Sequence, residues 1–161
     1  MEVHEIAAVY NKDSKILILG SFPSVMSREG NFFYHHPQNR FWKVVAYICE
    51  QEEPKTIEEK KQLLLRNQIA LWDVIHSCTI TGSSDQSIEN VVVNDIMPLI
   101  NQSKIKYIFT NGTLATKLYH KHMEKITDIK ATSLPSTSSA NARYSLDKLK
   151  QTWKQKIEEI Q

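Results

Sequence analysis

The chain has 161 residues, 41% of them apolar and 24% charged, which suits one buried core and excludes a disordered, collagenous or fibrous protein. No apolar run approaches the roughly 18 residues a membrane span needs, and the acid-bearing start of the chain lacks the basic and apolar regions of a signal peptide. The net charge of +2 hides an asymmetry: residues 1–100 carry 9 Lys/Arg against 13 Asp/Glu, and residues 101–161 carry 11 against 5. Two distant cysteines, Cys49 and Cys78, cannot by themselves build a thiolate metal site, and they read as free thiols in a reducing cytoplasm. The expectation is therefore a single cytoplasmic domain over residues 1–161, without a membrane partner.

The first strong signal along the chain is Lys15-Ile-Leu-Ile-Leu-Gly20, whose unbroken apolar run predicts a buried strand. Residues 39–51 set Phe41, Val44, Val45 and Ile48 at helical spacing. Residues 56–68 open on the capping box Thr56 and Glu59, ahead of Leu63 and Leu64. A second strand is predicted over 69–75 and a third over 106–110, followed by a helix over 112–122. The fourth strand is placed at 128–132. A final helix over 145–160 carries Leu146, Leu149, Trp153, Ile157 and Ile160 on one face. Four buried strands separated by helices predict an α/β domain with a mainly parallel sheet. Ligands of such sheets gather at the carboxyl ends of the strands.

The loops after those strands are Gly20–Ser24, Ile75–Thr79, Asn111–Gly112 and Leu134–Ala140, and three of them are rich in Ser, Thr, Asn and Gly. Such groups hold phosphates or base edges. A long aromatic and polar loop follows the first of them, from Asn31 to Trp42, in which Phe22 and Tyr34 are candidates to stack on a base while Phe41 and Trp42 read as core. His35 and His36 have no acid nearby and read as loop histidines rather than metal ligands. There is no GxGxxG, no Walker lysine and no GxSxG elbow. Asp73 is either an acid of the site or a structural hydrogen-bonding residue. Asn111 either reads a base edge or ends its strand. The cluster of Lys104, Lys106, Lys117, Lys121, Lys125, Lys130 and Arg143 fits a phosphate-backbone partner or a solvated face equally well.

Gly20-Ser-Phe-Pro-Ser24 with Phe33-Tyr-His-His-Pro-Gln-Asn-Arg-Phe-Trp42 resembles the first motif of the uracil-DNA glycosylase superfamily, in the pattern of its hypoxanthine-DNA (deoxyinosine) glycosylase branch. Leu134-Pro-Ser-Thr-Ser-Ser-Ala-Asn141 resembles that branch's second motif, and Ala70–Ile75, Gly82-Ser-Ser-Asp85 and Asn94-Asp95 fit it as well. The resemblance covers roughly residues 15–145. It implies a three-layer α/β/α sandwich around a central four-stranded parallel sheet. It makes Asn39 the catalytic residue, holding or polarising the attacking water. Gly20, Ser21, Phe22, Ser24, Tyr34 and Asn111 become substrate-binding candidates, and Leu134, Ser136, Thr137, Ser138 and Arg143 DNA-binding ones.

Two departures bear on specificity. Phe22 stands where many superfamily members carry a water-orienting Asn or Asp, and Leu134 where the uracil enzymes carry a His. Both argue against efficient uracil excision. Ser139 also replaces a Pro, and Phe33 a Tyr. The implied protein is a monomeric, monofunctional glycosylase needing no metal or cofactor, acting on DNA that contains deaminated bases, hypoxanthine first. The alternatives are a uracil or G:U/G:T mismatch glycosylase, and a non-catalytic nucleic-acid-binding domain on the same fold.

Overall fold

A computed structural model describes residues 1–160. The chain runs β1 (Glu2–Val3), β2 (Ile16–Gly20), α1 (Val25–Gly30), α2 (Phe41–Ile48), α3 (Ile57–Arg66) and β3 (Ile69–Asp73). It continues through β4 (Ile75–Thr79), β5 (Glu89–Val93), α4 (Met97–Asn101), β6 (Tyr107–Asn111) and α5 (Thr113–His122). The last elements are α6 (Glu124–Thr127), β7 (Ala131–Leu134) and α7 (Leu146–Ile160).

β2 has all five residues buried and lies inside a parallel sheet of order β3-β2-β6-β7. Its alternation explains the layers. Ile16 and Ile18 face one core with Phe41, Trp42, Val44 and Val45 of α2, Leu63 and Leu64 of α3, and Leu149, Trp153 and Ile157 of α7. Leu17 and Leu19 face a second core with Leu99 of α4 and Tyr119 of α5. Helices therefore cover both faces, as the continuous apolar strands require. The capping box forms as its spacing predicts: Thr56 Oγ1 accepts from Glu59 N–H at 3.1 Å, and Glu59 Oε1 accepts from Thr56 N–H at 3.0 Å.

Two boundaries differ from the sequence reading. The 69–75 run is two strands, because the chain leaves the parallel sheet at Val74. Val74 N–H donates to Gly20 O at 2.8 Å and Ile75 N–H to Ser21 O at 3.0 Å. Asn94 Nδ2 then ties Asp73 O and Ile75 O, at 2.9 and 3.3 Å. Beyond this corner β4 joins an antiparallel sheet of order β1-β4-β5, which the sequence reading did not contain. The fourth parallel strand starts three residues later than predicted. Asp128 caps α6 in the left-handed region (φ 58°) and Ile129 O is taken by Tyr119 Oη and Thr127 Oγ1, so pairing begins at Ala131.

Candidate active site

The register aligns Gly20 with Asp73, Leu19 with Thr110 and Asn111 with Leu134, so the carboxyl ends of the four parallel strands form one rim. Over it lie the loop 21–40 and the loop 135–145. Asn39 sits in the turn that enters α2. Its Oδ1 accepts from Phe41 N–H and from Thr137 Oγ1, each at 2.9 Å. A backbone N–H can only donate, so the acceptor is fixed as oxygen and the other amide position as the Nδ2 group. No hydrogen bond engages that Nδ2 among the described residues. Thr137 in turn accepts from Asn111 Nδ2 at 3.0 Å, and its N–H donates to Asn111 Oδ1 at 3.1 Å. Asn111 Nδ2 also donates to Tyr34 Oη at 3.1 Å. Thr137 is wholly buried and is the link between the two loops.

Arg40 carries the second link. Its guanidinium donates to the carbonyls of Ser138 (2.7 Å), Thr137 and Asn141 (both 3.3 Å) and Tyr144, and its backbone N–H to Thr137 O at 3.1 Å. No carboxylate takes part. The planar fork serves four backbone acceptors that a loop would otherwise leave to water. Trp153 of α7 completes the anchor by donating Nε1–H to Pro135 O at 2.8 Å. Nothing in the local sequence marked Arg40 apart from its place beside Asn39. Its partners lie 97–104 residues away.

At the β3 end of the rim stands a different kind of group. Asp73 is 3% exposed, and its Oδ2 is enclosed without a hydrogen-bond partner. His4 Nε2 lies 3.6 Å from that oxygen, too far for a hydrogen bond. His4 Nδ1 accepts from Ile6 N–H at 3.2 Å, which leaves the ring proton on Nε2. Burial drives both groups towards neutrality. The Asp73 carboxyl is pushed up to about 7, and His4 is brought down to about 4, with His76 and Arg28 adding to the effect. Gly20 is where it is because nothing larger fits: a Cβ there would collide with Asp73 Oδ1 and stand 2.8 Å from Tyr34 Oη.

The candidates from sequence divide accordingly. Tyr34, at φ 51°, stacks on Phe41 with centroids 4.1 Å apart, and burial raises its phenol. Phe22 is half-buried, edge-on to His4 and beneath the Arg28 guanidinium. Ser21 is half-buried beside it and gives its carbonyl to Ile75. Ser24 is instead the N-cap of α1, its Oγ accepting from Ser27 N–H at 3.1 Å, so its oxygen is spent on the helix. Asn111 is spent on Tyr34 and Thr137 rather than turned to a base edge.

Among the DNA-binding candidates, Leu134 is a core side chain, 1% exposed, and Thr137 is enclosed, so neither side chain reaches the surface. Ser136 and Ser138 are half-buried and hold the loop's own N–H groups of Ser138 and Ala140. Arg143 is exposed. His36 Nδ1 takes Gln38 N–H at 3.1 Å, a local turn contact.

Three lysines of the basic cluster lie away from the rim. Lys104 and Lys106 pair with Ser14 and Lys15 at the start of β2, and Lys130 precedes β7, which places them at the opposite end of the sheet. Five residues of strand, about 16 Å, separate the two ends.

The sequence model of the Uracil DNA glycosylase superfamily matches residues 7–159. Two similar proteins bear the name Hypoxanthine DNA glycosylase. That of Methanosarcina acetivorans is 34% identical over 140 residues, which are 86% of this chain and 87% of that protein. That of Methanosarcina barkeri is 29% identical over 147 residues, 90% and 91% of the two chains. The fold is similar to the solution NMR structure of a Methanosarcina acetivorans protein with a provisional uracil DNA glycosylase assignment. The TM-score is 0.78 at 30% identity, over 93% of this chain and 95% of that one. No helix among the described residues is long and apolar enough to cross a membrane.

Proposed function

This chain belongs to the uracil DNA glycosylase superfamily, and we propose on that premise that it is a DNA glycosylase of the hypoxanthine type. It takes a deaminated base flipped out of DNA and hydrolyses the N-glycosidic bond. The bond electrons leave with the base as its anion, a water oxygen bonds to the anomeric carbon, the proton that this water loses ends on the departed base, and an abasic site remains. Extruding the base costs a few kcal/mol, least for a mispaired base, which favours lesions over intact pairs. The transition state is oxocarbenium-like, so departure of the base runs ahead of attack. The protein's task is then to hold a water and the base in register rather than to make a strong base.

The observation that carries this reading is the fixed amide of Asn39. With Oδ1 held by Phe41 N–H and Thr137 Oγ1, its Nδ2 is a preorganised donor at the rim. Asn39 is accordingly the catalytic residue, and it holds the attacking water by donating to the water oxygen. It does not draw off the water's proton, because both acceptor positions of Oδ1 are occupied. Phe22 supplies an aromatic wall for the base, and Arg143 lies exposed for a flanking phosphate. Among the described residues no lysine amine hydrogen-bonds Asn39, Tyr34, Asp73, Asn111 or Thr137, and a monofunctional reaction without a Schiff base follows. One domain and one copy of the chain suffice for this assignment.

The test is an excision assay on labelled oligonucleotides, single- and double-stranded, carrying hypoxanthine, xanthine, uracil or a G:T mismatch, with alkali to reveal abasic sites. Hypoxanthine is expected to be released, and Asn39→Ala to lower that rate about 10²- to 10³-fold while the Kd for DNA stays within about twofold. Excision of uracil alone would move the chain to another branch. Binding without any excision would leave a nucleic-acid-binding domain.

A further inference from the structure

Deamination changes the pattern of a base edge. In adenine a ring nitrogen with a free lone pair sits beside an exocyclic NH2 donor. In hypoxanthine the same positions carry a ring N–H donor and a carbonyl acceptor, the two halves of a lactam. A pocket that selects the product must therefore present an acceptor to the N–H and a donor to the carbonyl.

Most oxygens at the rim are already spoken for. Asn39 Oδ1 holds two donors, Thr137 Oγ1 accepts from Asn111 and donates to Asn39, and Asn111 Oδ1 is turned onto Thr137 N–H. Asp73 is the exception. No hydrogen bond reaches its carboxyl among the described residues, and Oδ2 is fully enclosed. A buried polar atom left unpaired costs stability and calls for a reason. Among the described residues its carboxyl makes no structural hydrogen bond, and His4 Nε2 stands 3.6 Å from Oδ2.

We propose that Asp73 is a specificity-determining residue of this site. Its Oδ1, beside Gly20 and the Tyr34 hydroxyl, accepts the lactam N–H of the flipped base, and Tyr34 Oη–H donates to the adjoining carbonyl. The proposal rests on the glycosylase reading above and adds how that site tells a deaminated base from its parent. Both oxygens crowd the same point over Gly20, which is why that position has no room for a side chain. Tyr34 Oη already accepts from Asn111 Nδ2, so the phenol's own proton is what it has left to give. His4 stands behind the carboxyl at 3.6 Å, with Phe22 edge-on to its ring, and keeps the acid in place without occupying it.

Adenine would set a lone pair against the carboxylate and an NH2 donor against the Tyr34 O–H. Sites built this way reject the mismatched analogue strongly, because their buried groups stay unpaired. A carboxyl at about 7 is half ionised at neutrality and takes its accepting form above it, so selectivity for the lactam N–H should sharpen as pH rises through 7. The titratable groups that face it are His4 and Tyr34, with His76 and Arg28 beyond His4.

The experiment measures equilibrium binding of the full chain to oligonucleotides with one uncleavable 2′-fluoroarabino nucleotide. The base is hypoxanthine, adenine, or unsubstituted purine, which lacks both lactam groups. Wild type, Asp73→Asn and Tyr34→Phe are compared, with folding checked by circular dichroism, and excision of hypoxanthine by wild type is run alongside. The ratio of hypoxanthine to purine affinity is expected to fall about 10- to 100-fold in Asp73→Asn and about 5- to 10-fold in Tyr34→Phe. Asp73→Asn should also narrow the gap between hypoxanthine and adenine. Equal weakening towards all three bases, or no change in the ratios, overturns the proposal, and Tyr34→Phe decides it should Asp73→Asn fail to fold. Wild type that neither excises hypoxanthine nor prefers it to purine overturns the glycosylase reading as well. Wild type that excises hypoxanthine while the variants keep its selectivity overturns only the role of Asp73.

Discussion

On the β6–β7 side of the rim, Asn111, Thr137 and Asn39 pass hydrogen bonds from one to the next, and Arg40 closes the loop above them through four carbonyls. On the β3 side, Asp73 keeps a carboxyl that nothing hydrogen-bonds, with a neutral histidine behind it. The first arrangement is rigid and inward-looking, since a fully satisfied polar network fixes one geometry. Its product is a single amide, that of Asn39, fixed through Oδ1 in one orientation. The second arrangement lowers stability and leaves capacity for a ligand. A site can thus combine a half that positions with a half that waits, and the hydrogen-bond inventory tells them apart.

Breaking the positioning half should have the larger effect. Thr137→Val removes the hydroxyl between Asn111 and Asn39 and leaves Oδ1 of Asn39 held by Phe41 N–H alone. The kcat for hypoxanthine excision is expected to fall about 10- to 100-fold with KM little changed, and Thr137→Ser to restore most of it. If Val and Ser behave alike, the hydroxyl is not what positions Asn39.

The waiting half is sharpened by a stability measurement. A carboxyl that titrates near 7 in the fold and near 4 in the unfolded chain is protonated in the native state while the unfolded chain is ionised. The unfolded state then binds fewer protons, so this group's contribution to stability falls as pH rises from about 4 to about 7, and the full penalty stands above that. Asp73→Asn removes the penalty. Its Tm should exceed that of wild type by about 5 °C or more at pH 8, and the difference should close towards pH 4. A variant less selective yet more stable is the signature of a group kept for function. Equal or lower Tm at pH 8 would show instead that the carboxyl supports the fold.

The smallest effect concerns charge outside both halves. Arg143→Ala should weaken DNA binding a few-fold and reduce the salt slope by about 1, as loss of one phosphate contact does. The pair Lys104→Ala and Lys106→Ala, at the far end of the sheet, should leave both quantities unchanged. Lys104 is already engaged with Asp13 at 3.3 Å.

The features legible in the sequence were those written in neighbouring residues. The run Ile16–Leu19 declares a strand buried on both faces, Thr56 with Glu59 declares a helix start, and the α7 stripe declares its docking face. The antiparallel sheet escaped because β5 has no buried residue and β4, Ile75-His-Ser-Cys-Thr79, has the polar composition of a loop. The fourth strand slipped because Asp128 and Ile129 look strand-like until the Tyr119 hydroxyl claims Ile129 O.

The sequence by itself determined the fold class, the strand-end rim and the two motifs whose resemblance singled out Asn39, because periodicity and motif spacing are properties of the chain in one dimension. What only the tertiary structure decided is which polar groups are still available. Thr137 and Asn39 are 98 residues apart, and their hydrogen bond turns one from a DNA contact into a positioning residue and fixes the other as a donor. Asp73 stands out only when every neighbour that might have bonded it is in place and does not. Lys104, Lys106 and Lys130, part of a run of positive charge along the chain, lie at the end of the sheet away from the rim because strand direction and register, rather than sequence proximity, set which end a residue occupies.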